Sequence, residues 1–229
     1  MLTGIHKDFI NLFFPPLCAA CNAVLVKQEQ HICTGCLYNL PKTNFHLDRD
    51  NPMAQLFWGR VRVEAAASLY YFEKGSKCRK ILHQIKYRGK KELAFFLGKI
   101  YGFELSRKGK FTGADVIVPV PLHSSRERSR GFNQSDWFAR GISCSMGKKV
   151  DRDILIRFIC TETQTNKSRA GRWENVENSF VIKDTQKAIN KHILLVDDVV
   201  TTGATLESCA QVLIRVPGVS ISILTIAYA

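Results

Sequence analysis

No stretch of this sequence approaches about 18 uninterrupted apolar residues, so it offers no candidate membrane-spanning helix. An apolar run does open the chain, "MLTGIHKDFINLFFPPLC", but Lys7 and Asp8 stand before it, Pro15 and Pro16 break it, and no small-residue cleavage site follows. No signal peptide is therefore expected, and the two absences together point to a cytoplasmic protein. Internal repeats and low-complexity tracts are also lacking, which excludes a solenoid or an array. Carboxylates are scarce relative to cations: 20 Asp and Glu stand against 33 Lys and Arg, a net charge of +13. Such a surface attracts polyanions, whether nucleic acid, phosphorylated substrates or anionic lipid, and charge alone does not choose among them.

What is present suits a folded globular chain, with 45% hydrophobic and 23% charged residues over 229 positions. Three zones emerge. The first is short, rich in cysteine, and too small to build a core without a staple; residues 1–45 are read as this module and residues 46–229 as the main domain. The second, to about Gly109, opens with "RVRVEAAASLYYFEKG", which suggests one or two strands ended by Gly75. Two amphipathic surface helices follow, marked by Cys78, Ile81, Leu82 and Ile85 and then by Leu93, Phe96, Leu97 and Ile100 at helical spacing. The third alternates apolar strands ("DVIVPV", "HILLVDD", "SISILTIAYA") with helical segments, the pattern of a parallel sheet covered on both faces. Ligands of such α/β sheets sit at the carboxyl ends of the strands.

Cys18, Cys21, Cys33 and Cys36 form "CAAC" and "CTGC", separated by eleven residues. Two close pairs of thiolates can complete a tetrahedron around Zn2+, and a site made wholly of thiolates has no open position, so the metal would be structural. Disulfides, disfavoured in a reducing compartment, and a redox-active pair are the alternatives, and neither accounts for both knuckles. His31 is adjacent and is not read as a ligand. Cys78, Cys144, Cys160 and Cys209 are isolated; Cys78 and Cys209 fall on apolar helical faces, where cysteine behaves as a small hydrophobe.

The most informative stretch is "HILLVDDVVTTGATLESCAQVL". Its apolar start reads as a buried strand, and Leu206, Cys209, Ala210 and Leu213 mark a helix directly after the turn. A helix N-terminus offers free N–H groups to an anion, Gly203 lets the backbone wrap closely, and Thr201, Thr202 and Thr205 add hydroxyls. No lysine follows the glycine in the order of a Walker A loop. Asp197 and Asp198 would repel a phosphate but accept hydrogen bonds from sugar hydroxyls, so the whole reads as a site for ribose 5-phosphate. The plainer alternative makes the aspartates a helix cap and the threonines an ordinary turn.

"ILLVDDVVTTGAT" resembles the phosphoribosyl pyrophosphate (PRPP) binding motif of type I phosphoribosyltransferases. That resemblance implies that Asp197 and Asp198 hold the ribose hydroxyls, that Thr201, Thr202, Gly203, Ala204 and Thr205 hold the 5-phosphate with Val199 and Val200 in the same PRPP-binding stretch, and that Mg2+ arrives with the diphosphate. In "VIVPVPLHSSRERSRGFNQ", prolines stop a strand, and Arg126, Arg128 and Arg130 crowd one polar loop whose guanidinium forks suit a diphosphate leaving group. Arg126 and Arg130 are the candidates there, a solvated basic loop is the alternative, and Asn133 and Gln134 are placed to cap the next helix. The long polar stretch "CTETQTNKSRAGRWENVENSF" reads as a lid carrying Gln164, Arg169 and Arg172, or else as an exposed hairpin or loop.

The order of the cysteine knuckles, "KYRGKKELA", "VPVPLHSSRERSRGFNQ", "TQTNKSRAGRWENVENSF" and "ILLVDDVVTTGATL" resembles the ComF/GntX family of phosphoribosyltransferase-like proteins over nearly the whole chain. The family is linked to natural competence, which implies a type I phosphoribosyltransferase-like sheet flanked by helices, PRPP as ligand, and single-stranded DNA and competence or DNA-processing proteins as partners. Lys86, Tyr87, Arg88, Lys90 and Lys91 are the candidate nucleic-acid contacts, with solvated lysines as the alternative. Two other roles stand beside this one: a phosphoribosyltransferase acting on a nucleobase or small amine, for which no acceptor pocket is legible, and a ligand sensor.

Overall fold

The computed structural model describes residues 11, 13–107, 109–157 and 180–229. Its centre is a five-stranded, wholly parallel sheet in the spatial order β1-β7-β6-β2-β3. These strands are β1 (Ala65–Tyr71), β2 (Val116–Pro119), β3 (Lys149–Val150), β6 (His192–Val200) and β7 (Ser220–Tyr228). A separate antiparallel pair joins β4 (Leu155–Arg157) to β5 (Phe180–Ile182). The apolar runs make the central strands: Val116–Pro119 and Ile193–Val196 are buried throughout, as strands covered on both faces must be. The segment read as one or two strands forms the single strand β1, and Val61 and Val63 precede it.

The helices are α1 (Thr34–Asn39), α2 (Pro52–Gln55), α3 (Lys77–Tyr87), α4 (Lys91–Arg107), α5 (Ser124–Arg130), α6 (Gln134–Met146) and α7 (Ala204–Leu213). Helix α3 buries Cys78, Ile81, Leu82 and Ile85, the face expected from the sequence. Helix α4 is amphipathic as expected, burying Leu93, Ala94, Leu97, Gly98, Tyr101, Gly102 and Leu105 while exposing Glu92, Lys99 and Phe103, and it packs against α6. Glycines permit that crossing, because a Cβ at Gly98 would lie 2.2 Å from the Phe138 carbonyl oxygen and one at Gly141 2.1 Å from that of Phe95. Helix α6 in turn packs on β2 and β6.

Asn51 anchors the connection into β1. Its amide donates to the carbonyls of Phe45 (3.1 Å), Asp48 (2.8 Å) and Ala66 (2.9 Å), while its oxygen caps α2 at the N–H groups of Met53 and Ala54. Buried residues around the cysteines, among them Ala19, Ala20, Ile32 and Leu40, belong to the same hydrophobic core as the sheet. Among the described residues no helix is long and apolar enough to cross a membrane.

Candidate functional site

The connections of the sheet choose the site. Strand β2 continues through α6 to β3 on one side, whereas its neighbour β6 continues through α7 to β7 on the other. Adjacent strands whose connections depart in opposite directions leave a crevice outside their carboxyl ends, where open α/β sheets bind ligands. The "DDVV" residues end β6 and "TTGAT" follows it, while the "SSRERSR" segment follows β2.

On the β6 side, the strand runs past both aspartates to Val200, pairing Asp197 with Thr225 in register. The turn is exposed at Thr201 and Thr202. Gly203, at φ +80°, takes the left-handed conformation that starts α7, and a Cβ there would approach the Phe57 ring to 3.3 Å. The first turn of α7 thus presents free N–H groups beside exposed threonines, with Ala204 and Thr205 also exposed. Arg60 braces the turn, donating to the Thr202 carbonyl at 3.3 Å and pairing with Glu207 at 3.4 Å.

Asp197 accepts hydrogen bonds from the Ser135 hydroxyl and the Asp198 N–H, both at 2.8 Å. Desolvation and the neighbouring Asp198 charge push its carboxyl up to about 7, against the opposing pull of those two donors and Lys86. A carboxyl raised in this way favours folding when protonated, and that contribution is lost as pH rises from its ordinary 3.8 through about 7. Asp198 pairs with Lys86 at 3.0 Å, with both side chains mostly buried.

On the β2 side, the segment expected as a polar loop is the short helix α5. It is capped by the His123 ring, which accepts from the Ser125 N–H, and closed by Gly131 at φ +77°. Arg126 and Arg130 lie one helical turn apart on it, Arg126 exposed and Arg130 partly buried over the Tyr87 ring at 5.6 Å. Asn133 caps α6, its oxygen taking the Ser135 N–H at 3.0 Å and its amide reaching the Val120 carbonyl at 2.9 Å. Gln134 is buried beside it.

The residues of "KYRGKK" are divided among several surroundings. Lys86 turns to Asp198, Tyr87 is exposed and packs against Arg130 and His83, and Lys91 lies over Trp137 at 4.8 Å. Arg88 and Lys90 face a cleft of about 780 Å³ between α3 and the cysteine segment, together with Arg79, Lys80 and His83. Gln164, Arg169 and Arg172 lie outside the described residues. Lys86, Ser135 and Arg60 were not assigned to the β6 site from the sequence. For Ser135 its position beside the Asn133 cap was a usable signal; the other two carried none.

The four cysteine sulfurs all lie within 4.8 Å of one another. Around Zn2+ with Zn–S bonds of about 2.3 Å, tetrahedral sulfurs stand about 3.8 Å apart, and Cys21 and Cys33 are 3.8 Å apart. Burial pushes the Cys18 thiol up, but N–H groups of Cys33, Ala20 and Cys21 outweigh it and bring the group down to about 6. Burial and the adjoining sulfurs push Cys36 up to about 12. The donor set therefore fits a metal ion. Gln84 ties the segment to α3, its amide donating to the Ala19 carbonyl at 2.7 Å, and His31 packs on Phe96 with ring centroids 5.5 Å apart.

A parallel sheet with an acidic pair and a threonine-rich turn at its switch point, together with a four-cysteine cluster, defines an open α/β protein with a ligand-binding crevice at its strand ends. No protein-family model matches the chain. It is 30% identical over 203 residues to the DNA utilization protein YhgH of Escherichia coli (strain K12), covering 87% of this chain and 84% of that protein. The YhgH protein of Salmonella typhi is 36% identical over 138 residues, 59% of this chain and 60% of that one, so this match spans less than two thirds of the relative. Competence protein ComFC of Bacillus subtilis is 29% identical over 208 residues, 87% of this chain and 78% of that protein. The chain belongs to the ComF/GntX family, with these DNA utilization and competence proteins as relatives. Among solved structures, a hypoxanthine phosphoribosyltransferase from Staphylococcus aureus is similar at 17% identity with a TM-score of 0.37, over 59% of this chain and 62% of that one.

Proposed function

We infer that the chain binds PRPP, or a closely related ribose phosphate, at the carboxyl ends of β2 and β6, and that it does so as a cytoplasmic component of DNA uptake or processing. The observation that carries this reading is the placement of Asp197 and Asp198 at the switch point directly before the exposed Thr201–Thr205 turn. Charged acceptors suit the ribose hydroxyls, and the N–H groups that open α7 suit the 5-phosphate. Arg126 and Arg130, from the neighbouring strand's connection, supply donors for the diphosphate. Mg2+ would accompany that diphosphate, held by ligand oxygens and water more than by protein. Zn2+ would be the resident structural ion of the cysteine cluster.

The reading is tested on the diphosphate side with Arg130→Ala. Wild type is expected to prefer PRPP over ribose 5-phosphate in calorimetric titrations, and the variant to lose about tenfold of that preference, the worth of one charge-assisted contact. An unchanged preference would make the arginines solvated surface.

The cleft beside the cysteine segment favours a second activity, the binding of single-stranded nucleic acid. Arg79, Lys80, Arg88 and Lys90 line it, with no carboxylate among the described residues of its walls, and exposed Tyr87 adjoins Arg88. Cations that track a backbone and an aromatic ring that stacks bases are the two components of single-strand binding. If the four cations each meet a phosphate, log affinity for an oligonucleotide should fall against log salt with a slope of roughly −3. Replacing both Arg88 and Lys90 with alanine should flatten that slope by about 1.4; an unaltered slope would remove the cleft from consideration.

A further inference from the structure

We propose that Lys86 determines specificity at the β6 site by exchanging partners: it pairs with Asp198 in the free chain and with the ligand's diphosphate in the complex. This proposal rests on the ribose phosphate reading above and adds a coupling that the reading does not contain.

The geometry supports the exchange from both ends. The Lys86 ammonium lies 3.0 Å from a carboxylate oxygen of Asp198, and the lysine side chain keeps 24% exposure against 14% for the aspartate, so one oxygen of the mostly buried acid is already occupied by a cation. A ribose hydroxyl reaching Asp198 must therefore compete with, or displace, this cation. A lysine freed from its carboxylate inside a half-buried crevice needs another anion, since leaving one member of such a pair without a partner is costly. Next to Lys86 in sequence, Tyr87 carries the Arg130 guanidinium over its ring at 5.6 Å, which brings this one α5 cation to the same end of α3. The four-carbon stem of lysine can swing between two anions, which a rigid arginine fork does less readily.

Helix α3 is held in place while the side chain moves. Cys78, Ile81, Leu82 and Ile85 are buried on one face, and Gln84 is hydrogen-bonded to Ala19. The exchange therefore requires rotation of one side chain and no movement of the helix. Its consequence is selectivity: a ligand with ribose hydroxyls but no diphosphate must break the Lys86–Asp198 pair without offering a replacement, whereas PRPP replaces it.

The test compares calorimetric titrations of PRPP and ribose 5-phosphate, each with Mg2+, in wild type, Lys86→Met and Lys86→Arg. Circular dichroism and metal content serve as checks on folding. Lys86→Met keeps the stem but removes the charge. It is expected to weaken PRPP at least about tenfold while leaving ribose 5-phosphate unchanged or bound more tightly, because Asp198 is then free. Lys86→Arg should recover part of the PRPP affinity. A purely structural pair would instead weaken both ligands by the same factor; that outcome, or PRPP affinity unchanged in Lys86→Met, overturns the proposal. If wild type binds neither ligand, the ribose phosphate reading itself fails, a result separate from any effect of the variant.

Discussion

Replacing Cys33 with serine is expected to remove the bound metal and to unfold the cysteine segment in the same step. Wild type should carry about one zinc ion per chain, as four thiolates complete one closed shell, and the variant essentially none. The expected loss is large because zinc binding in small modules is itself the folding free energy, on the order of 10 kcal/mol in zinc-finger peptides. The effect should extend beyond the segment. Ala19, Ala20, Ile32 and Leu40 share the core of the sheet, and Gln84 of α3 is bonded to the Ala19 carbonyl, so a lower melting temperature of the whole chain should accompany the loss of metal. Metal analysis and thermal unfolding on the same samples check this. A wild-type protein that keeps its melting temperature after exhaustive chelation would show that the sulfurs are held by packing alone.

This cysteine cluster and the β6 turn are the parts of the chain most legible in its sequence, for the same reason. Both are local: two two-residue spacers place four sulfurs, and a single run from His192 to Leu213 contains strand, acids, turn glycine and helix in order. The alternation of apolar runs with helices likewise announced a parallel sheet before any pairing was known. The partners that surround the acids were hidden because they come from distant segments. Ser135 reaches Asp197 from α6, Lys86 reaches Asp198 from α3, and Arg60 braces Thr202 from the stretch before β1. No spacing rule connects them, since each contact exists only once the sheet has brought its strand ends together.

One local reading departed from the structure, and it has a physical cause. "SSRERSR" carries no apolar periodicity, so it resembled a loop; it forms a helix because His123 caps one end and Gly131 closes the other. Helix α4 follows the apolar face read from its spacing, but the spacing does not show that Gly98 and Gly102 are where α6 approaches, a contact made by the absence of side chains. Sequence patterning detects apolar stripes readily and close backbone crossings poorly.

The central claim is that Asp197 and Asp198 receive ribose hydroxyls, and its most direct test is calorimetry of PRPP with Mg2+ on wild type and on the Asp197→Asn, Asp198→Asn double variant. Asparagine keeps the shape and one acceptor oxygen but loses the charge, so each bond weakens by roughly 1 to 2 kcal/mol, and affinity should fall at least about tenfold. The pH dependence gives a second signature within the same measurement. Because the Asp197 carboxyl is pushed up to about 7, its charged form is populated only as pH rises through that value. Wild-type affinity should therefore strengthen between pH 6 and pH 8 (about one unit either side) by more than in the variant, in which position 197 no longer titrates. Circular dichroism should show the sheet intact. Tenfold weaker binding with that part of the pH dependence abolished is the predicted result; equal affinity and an equal pH response in the two proteins would contradict the account, leaving the carboxylates with a role in the turn alone.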